Sequence, residues 1–126
     1  MDQKQVVLIA AILEKYLQVR LSAHDIFFKV SGGAKVKESG TDLGIALALL
    51  SSYFQQTLPE RSLALGEISL TGQIKPINHI ATFVREAQKF GMKKLFIAGA
   101  QKMEPCTIAT QRFQNVFELL SLFSTD

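Results

Sequence analysis

A continuous apolar run over residues 43–54, LGIALALLSSYF, leaves this chain few folds to choose from. The run is too long for one strand and falls short of the roughly 18 apolar residues that a membrane span needs. Apolar almost all round, it predicts a buried helix with other elements packed on several sides. The small polar turn KESGTD precedes it, with Asp42 at the junction, and Leu58–Pro59 is expected to end it.

The partners that such a helix needs are readable on both sides. Val6, Leu8, Ile9, Ile12, Leu13 and Leu17 recur at helical spacing, which predicts a helix over 4–18. DIFFKVSGG has a strand-like centre followed by a Gly32–Gly33 turn, and AKV starts a return strand. SLALGEISLTGQIKPI is strand material broken by Gly66 and Gly72, with a tight hairpin around Gly72. A helix is predicted over 79–90, closed by Gly91 and with Lys89 in its last turn. KKLFIAG reads as a short core strand, CTIAT as a further strand, and FQNVFELLSLF as a C-terminal helix. With 126 residues and an apolar share of 48%, the expectation is a single α/β (α+β) domain over 1–126, its mixed sheet packed with helices.

The net charge of +3 is unevenly placed. Residues 29–102 hold ten basic and five acidic groups, whereas the flanking segments are neutral or acidic. A basic middle suits an anionic partner such as nucleic acid, although a solvated surface gives the same composition. The N-terminal stretch carries Asp2 and Glu14 and reads as an amphipathic helix, not a signal peptide. With Cys106 the only cysteine, no internal disulfide or cysteine-built zinc site is expected, and the default setting is cytoplasmic, away from any membrane.

Motifs for chemistry are sparse. VSGGAKVKESG has glycine and lysine without the spacing that cradles a nucleotide phosphate. His24 and His79 are isolated, so no metal site is expected; His24 beside Asp25 reads as a loop pair or cap, and His79 at a helix start as a surface or cap residue. Ser39 and Thr41 are the short-range nucleophile candidates, but Lys35 and Lys37 share one side of an exposed strand and supply no evident base. Cys106 follows Pro105 with no paired histidine and reads as a small hydrophobe.

The ordered segments LIAAILEKYLQVRLSAHDIFFKVSGG, KVKESGTDLGIALALLSS, LGEISLTGQIKPINHI and REAQKFGMKKLFIAG resemble the C-terminal Lon-protease-like domain of the bacterial RadA/Sms family, with its ribosomal protein S5 domain 2-like fold. The similarity covers nearly the whole chain. It implies a place in a hexameric, DNA-dependent ATPase of DNA repair that drives branch migration in recombination. The family's zinc-finger and ATPase domains precede the part matched here. ATP, Mg and Zn are therefore expected with those upstream domains and no cofactor in this chain.

The more distant Lon proteases use a serine–lysine dyad. Its serine position falls on Asp42 and its lysine position on Ala81. A carboxylate is a poor peptide nucleophile there and alanine is no base, so the resemblance implies a scaffold without its working groups. It is expected to cleave neither casein nor short peptides. Thr41 and Asp42 then read as structural caps at the helix start. The implied function is self-association plus weak, backbone-directed DNA contact, with Lys35, Lys37, Lys75, Arg85, Lys89, Lys93 and Lys94 as candidate contacts. The alternative is a Lon-like peptidase with a displaced or altered active site.

Overall fold

A computed structural model describes residues 3–21 and 42–123. The readings placed on Ser39, Thr41, Lys35, Lys37, His24 and the DIFFKVSGG strand lie outside the described residues. Helix α1 spans Gln3–Leu17 and α2 spans Asp42–Phe54. Strand β1 spans Ser62–Leu65, β2 Glu67–Ile68 and β3 Ile74–Lys75. Helix α3 spans Ile80–Lys89, followed by β4 at Lys94–Ala98, β5 at Ala109–Phe113 and a 3-10 helix at Val116–Leu122.

The class is mixed α/β, with parallel and antiparallel pairing in separate ladders. Strands β1, β4 and β5 form a parallel sheet in that order, with Leu63 beside Leu95 and Ile97 beside Arg112. β2 and β3 form a short antiparallel hairpin in which Glu67 faces Lys75 and Ile68 faces Ile74. The hairpin is hooked onto the end of β5 by an antiparallel bridge between Gln73 and Asn115.

Each face of the parallel sheet carries its own core. Successive side chains on a strand point to opposite faces, so β4 divides its residues between them. Phe96 and Ala98 join the core made with α1, α2, the hairpin and the 3-10 helix. Leu95 and Ile97 join a smaller core under α3, with Ile80, Val84, Ala87 and Ile108. The apolar run does form the expected buried helix: Leu43, Leu47, Leu49 and Leu50 are at most 1% exposed. Each such side chain contributes about 1.5–3 kcal/mol relative to an exposed one.

Four boundaries differ from the sequence reading, each for a local reason. Helix α2 ends at Phe54 rather than near Pro59. Gln55 adopts a left-handed φ of 55°, and the Gln55 and Gln56 amides donate back to the Ser52 and Ser51 carbonyls, closing the helix before the proline. The hairpin turns at Leu70–Thr71, with Gly72 as the following left-handed bulge residue. The last strand begins at Ala109, beyond Cys106 and Thr107. Phe113 completes that strand instead of opening a helix, and the segment after it winds as a 3-10 helix. Its buried Val116 and Leu119 are three residues apart, the repeat of that helix, and the Asn115 side chain caps it by accepting from the Glu118 amide.

Gly72 has a φ of 82°, and a Cβ there would lie 3.2 Å from Tyr16 and 3.3 Å from Val116. The left-handed backbone and the crowding act together, so Gly72→Ala is expected to lose about 2 kcal/mol, read as a lowered urea midpoint.

Candidate functional site

Asp42 is the most heavily engaged polar residue at the start of α2. Its Oδ1 accepts from Gln5 Nε2 at 2.6 Å, and its Oδ2 accepts from the Ile68 amide at 2.9 Å. The next amide, Leu43, donates to the Gly66 carbonyl at 3.0 Å. One carboxylate thus ties α1, α2 and β2 together, and both of its oxygens face hydrogen-bond donors from other elements.

Ala81 lies elsewhere, exposed in the first turn of α3. It lines a cleft of about 700 Å³ between that helix and residues 102–106. Ile80, Val84, Met103 and Pro105 give the cleft apolar walls, and Asp42 does not line it. Cys106 also lines the cleft, half-buried, with its thiol 3.6 Å from the Ile108 carbonyl. His79 is the residue before α3, in a left-handed conformation (φ 62°) and without a side-chain capping bond.

The basic candidates fall into two places. Arg85 and Lys89 are four residues apart on the exposed face of α3, with Lys93 just before β4 and Lys94 its first residue. Arg85 Nη2 reaches the Thr82 hydroxyl at 3.5 Å. Lys89 pairs with Glu86 at 3.8 Å, with side chains 73% and 55% exposed, so water screens the pair and it holds the lysine only weakly. The amides of Lys93 and Lys94 both donate to the Arg61 carbonyl, at 2.7 and 3.3 Å, which fixes the entry to β4 that carries their side chains.

Lys75 is apart from these, exposed on β3. It lines a second recess of about 450 Å³ where the carboxyl ends of β4 and β5 meet the hairpin. Gly99 and Ala100 form one side of this recess, and Gln73, Gln114 and Asn115 the others.

Two residues that sequence reasoning passed over shape this part of the molecule. Gln101 is 6% exposed, and its carboxamide pairs with both backbone groups of Ile77. Arg112 Nη1 donates to the carbonyls of Ala98, Gly99 and Gln101 at 3.4, 3.1 and 2.6 Å. Together they hold the irregular connection between β4 and β5. No group of three or more His, Cys, Asp or Glu placed to hold a metal ion occurs among the described residues. Among them, too, no helix is long and apolar enough to cross a membrane.

Residues 4–101 match the family described as subunit ChlI of Mg-chelatase. Several curated relatives carry the name DNA repair protein RadA. The Synechocystis protein is 37% identical over 100 residues, which is 79% of this chain and 20% of that protein. The Listeria monocytogenes protein is 38% identical over 96 residues, 76% of this chain and 21% of the relative. The Aquifex aeolicus protein is 34% identical over 103 residues, 82% of this chain and 23% of the relative. The chain therefore spans about a fifth of the length of the curated relatives it matches.

Proposed function

This chain belongs to the family described as subunit ChlI of Mg-chelatase, and from its similarity to RadA proteins we propose that it serves DNA repair as a non-catalytic DNA-contact and assembly domain of a RadA-like ATPase. The carrying observation is the 32–38% identity to DNA repair proteins across some 80% of the chain. Between the two names, DNA repair is preferred because it comes with 34–38% identity over about 100 residues in several relatives. The Lon-like assignment belongs to the same proposal, as does a role in branch migration and in a ring of such subunits.

The engagement of Asp42 supports the non-catalytic part. A nucleophile needs a base in contact and an unencumbered attacking atom. Here both carboxylate oxygens are held by Gln5 and Ile68, and the matched lysine position is Ala81. For assembly, Val7 and Leu8 on α1, Leu70 on the hairpin, Phe90 and Phe117 are apolar side chains 47–69% exposed, available to a second copy of the chain.

The DNA contact is of the phosphate-directed kind, made by exposed lysine and arginine without a recognition helix. The test measures binding to single-stranded and duplex DNA across a salt series, with particle mass determined at several concentrations. Affinity is expected to fall with salt at a log–log slope of about −0.7 to −0.9 per phosphate contacted, with little base preference. Replacing Lys89, Lys93 and Lys94 together by glutamine, and separately Lys35 with Lys37, tests two groups of candidate contacts. Unchanged binding after both sets of substitutions removes these residues as the contact surface. Binding that survives high salt or follows one base sequence defeats the backbone-directed reading.

A further inference from the structure

The recess at the strand ends is lined by side chains that the fold leaves uncommitted. Gln73 and Gln114 are exposed, and among the described residues their carboxamides make no hydrogen bond. Asn115 Oδ1 accepts from the Glu118 amide at 3.3 Å, which leaves its Nδ2 as a donor. Lys75 has no ion-pair partner among the described residues, although Glu67 stands opposite it in the hairpin ladder. Glu118 is the other neighbouring acid, and its Oε1 accepts from the Gln114 amide at 2.8 Å.

The position suits a ligand. Gly99 and Ala100 follow β4, and Gln114 and Asn115 follow β5, so the recess opens beyond the carboxyl ends of two parallel strands. Open α/β sheets bind their ligands outside the carboxyl ends of their strands. Its volume of about 450 Å³ is that of a small-molecule site. Gly99 keeps it open: a Cβ there would lie 3.0 Å from Gln114 Cγ and would force that side chain to move.

We propose that this recess seats one nucleotide of single-stranded DNA, with Lys75 on the phosphodiester and the Gln73 and Gln114 carboxamides on the sugar and base edge. The proposal rests on the DNA-contact reading and says where on the surface the strand lies. A single lysine matches the single charge of a phosphodiester. Carboxamides both donate and accept, which is how glutamine and asparagine pair with base edges. Pro76 supplies an apolar wall for the sugar. In a duplex the Watson–Crick edges are paired and the bases are stacked inside the helix, so the unpaired strand is the form whose base can turn into the recess. Carboxamides also pair with peptide groups, but a peptide gives Lys75 a partner only where it carries a carboxylate, whereas every nucleotide of a strand carries a phosphodiester charge.

The experiment compares the wild-type chain, the exposed-surface variant Gln73→Ala/Gln114→Ala, and Gly99→Ala for binding to a single-stranded 12-mer and its duplex. Urea unfolding checks that each variant is folded. The double variant is expected to bind the single strand about tenfold more weakly, the loss of two ordinary hydrogen bonds, with duplex affinity unchanged. Gly99→Ala acts in the same direction through Gln114. In a ¹⁵N spectrum the Gln73 and Gln114 carboxamide signals of the wild type shift with the single strand. If the double variant keeps full single-strand affinity, the recess is not the seat and the DNA-contact reading stands. If the wild type binds neither form, both readings fall. Larger carboxamide shifts with an acidic peptide than with the oligonucleotide assign the recess to peptide and overturn the proposal.

Discussion

Asp42→Ala is expected to lower the free energy of unfolding by about 3 kcal/mol, the cost of removing a charged acceptor that two part-buried donors share. The donors are the Ile68 amide and Gln5 Nε2, on β2 and α1. Ile68 is only 8% exposed, so water replaces the lost carboxylate poorly. Asp42→Asn keeps one acceptor for the Ile68 amide and should lose about half as much, in line with one hydrogen bond retained. Urea unfolding of the three proteins measures this. A midpoint unmoved by Asp42→Ala would show that the carboxylate holds nothing together. Peptide hydrolysis by the wild type that disappears in Asp42→Ala would restore the peptidase reading.

A loss of about 2–3 kcal/mol is likewise expected from Gln101→Leu, which keeps most of the side-chain volume and removes its hydrogen bonds. The Gln101 Oε1 accepts from the Ile77 amide at 2.9 Å, and its Nε2 donates to the Ile77 carbonyl at 3.2 Å. The carboxamide thus acts as a strand neighbour for one residue of the segment that leads into α3. Leucine leaves both Ile77 backbone groups unpaired beneath a buried surface. Amide exchange should accelerate at Ile77 and along residues 102–108, because the β4–β5 connection has no helix of its own and depends on Gln101 and Arg112. Exchange rates and a urea midpoint equal to those of the wild type would contradict this role.

The elements legible in the sequence are those with a strong period or a clear stop. α1 repeats its apolar residues every three or four positions, α2 is apolar almost all round beyond Asp42, and α3 is closed by Gly91 with a φ of 72°. Where the reading slipped, two periods fit the same residues. The spacing of Val116 and Leu119 suits an α-helix and a 3-10 helix alike, and the three-residue backbone bonds from Glu118 to Asn115 and from Phe123 to Leu120 mark the latter. The candidate site was less legible. Asp42 stands out beside an apolar run, yet its partners Gln5 and Ile68 are 37 and 26 residues away. Gln101 looks like an ordinary loop glutamine until the fold brings Ile77, 24 residues distant, against it. Nor does any motif announce the strand-end recess, because its lining comes from the ends of three strands.

Strand β4 is a wall shared by two cores, with Phe96 and Ala98 on one side and Leu95 and Ile97 on the other. All four are at most 1% exposed. Loosening either core strips one face of this strand and weakens its pairing to β1 and β5, on which the other core is laid. The larger core therefore cannot melt and leave the smaller one standing. Heat or denaturant should carry the described part of the chain through a single cooperative transition, with the same midpoint whether it is followed by helix signal or by the aromatic environment of Phe96 and Phe113.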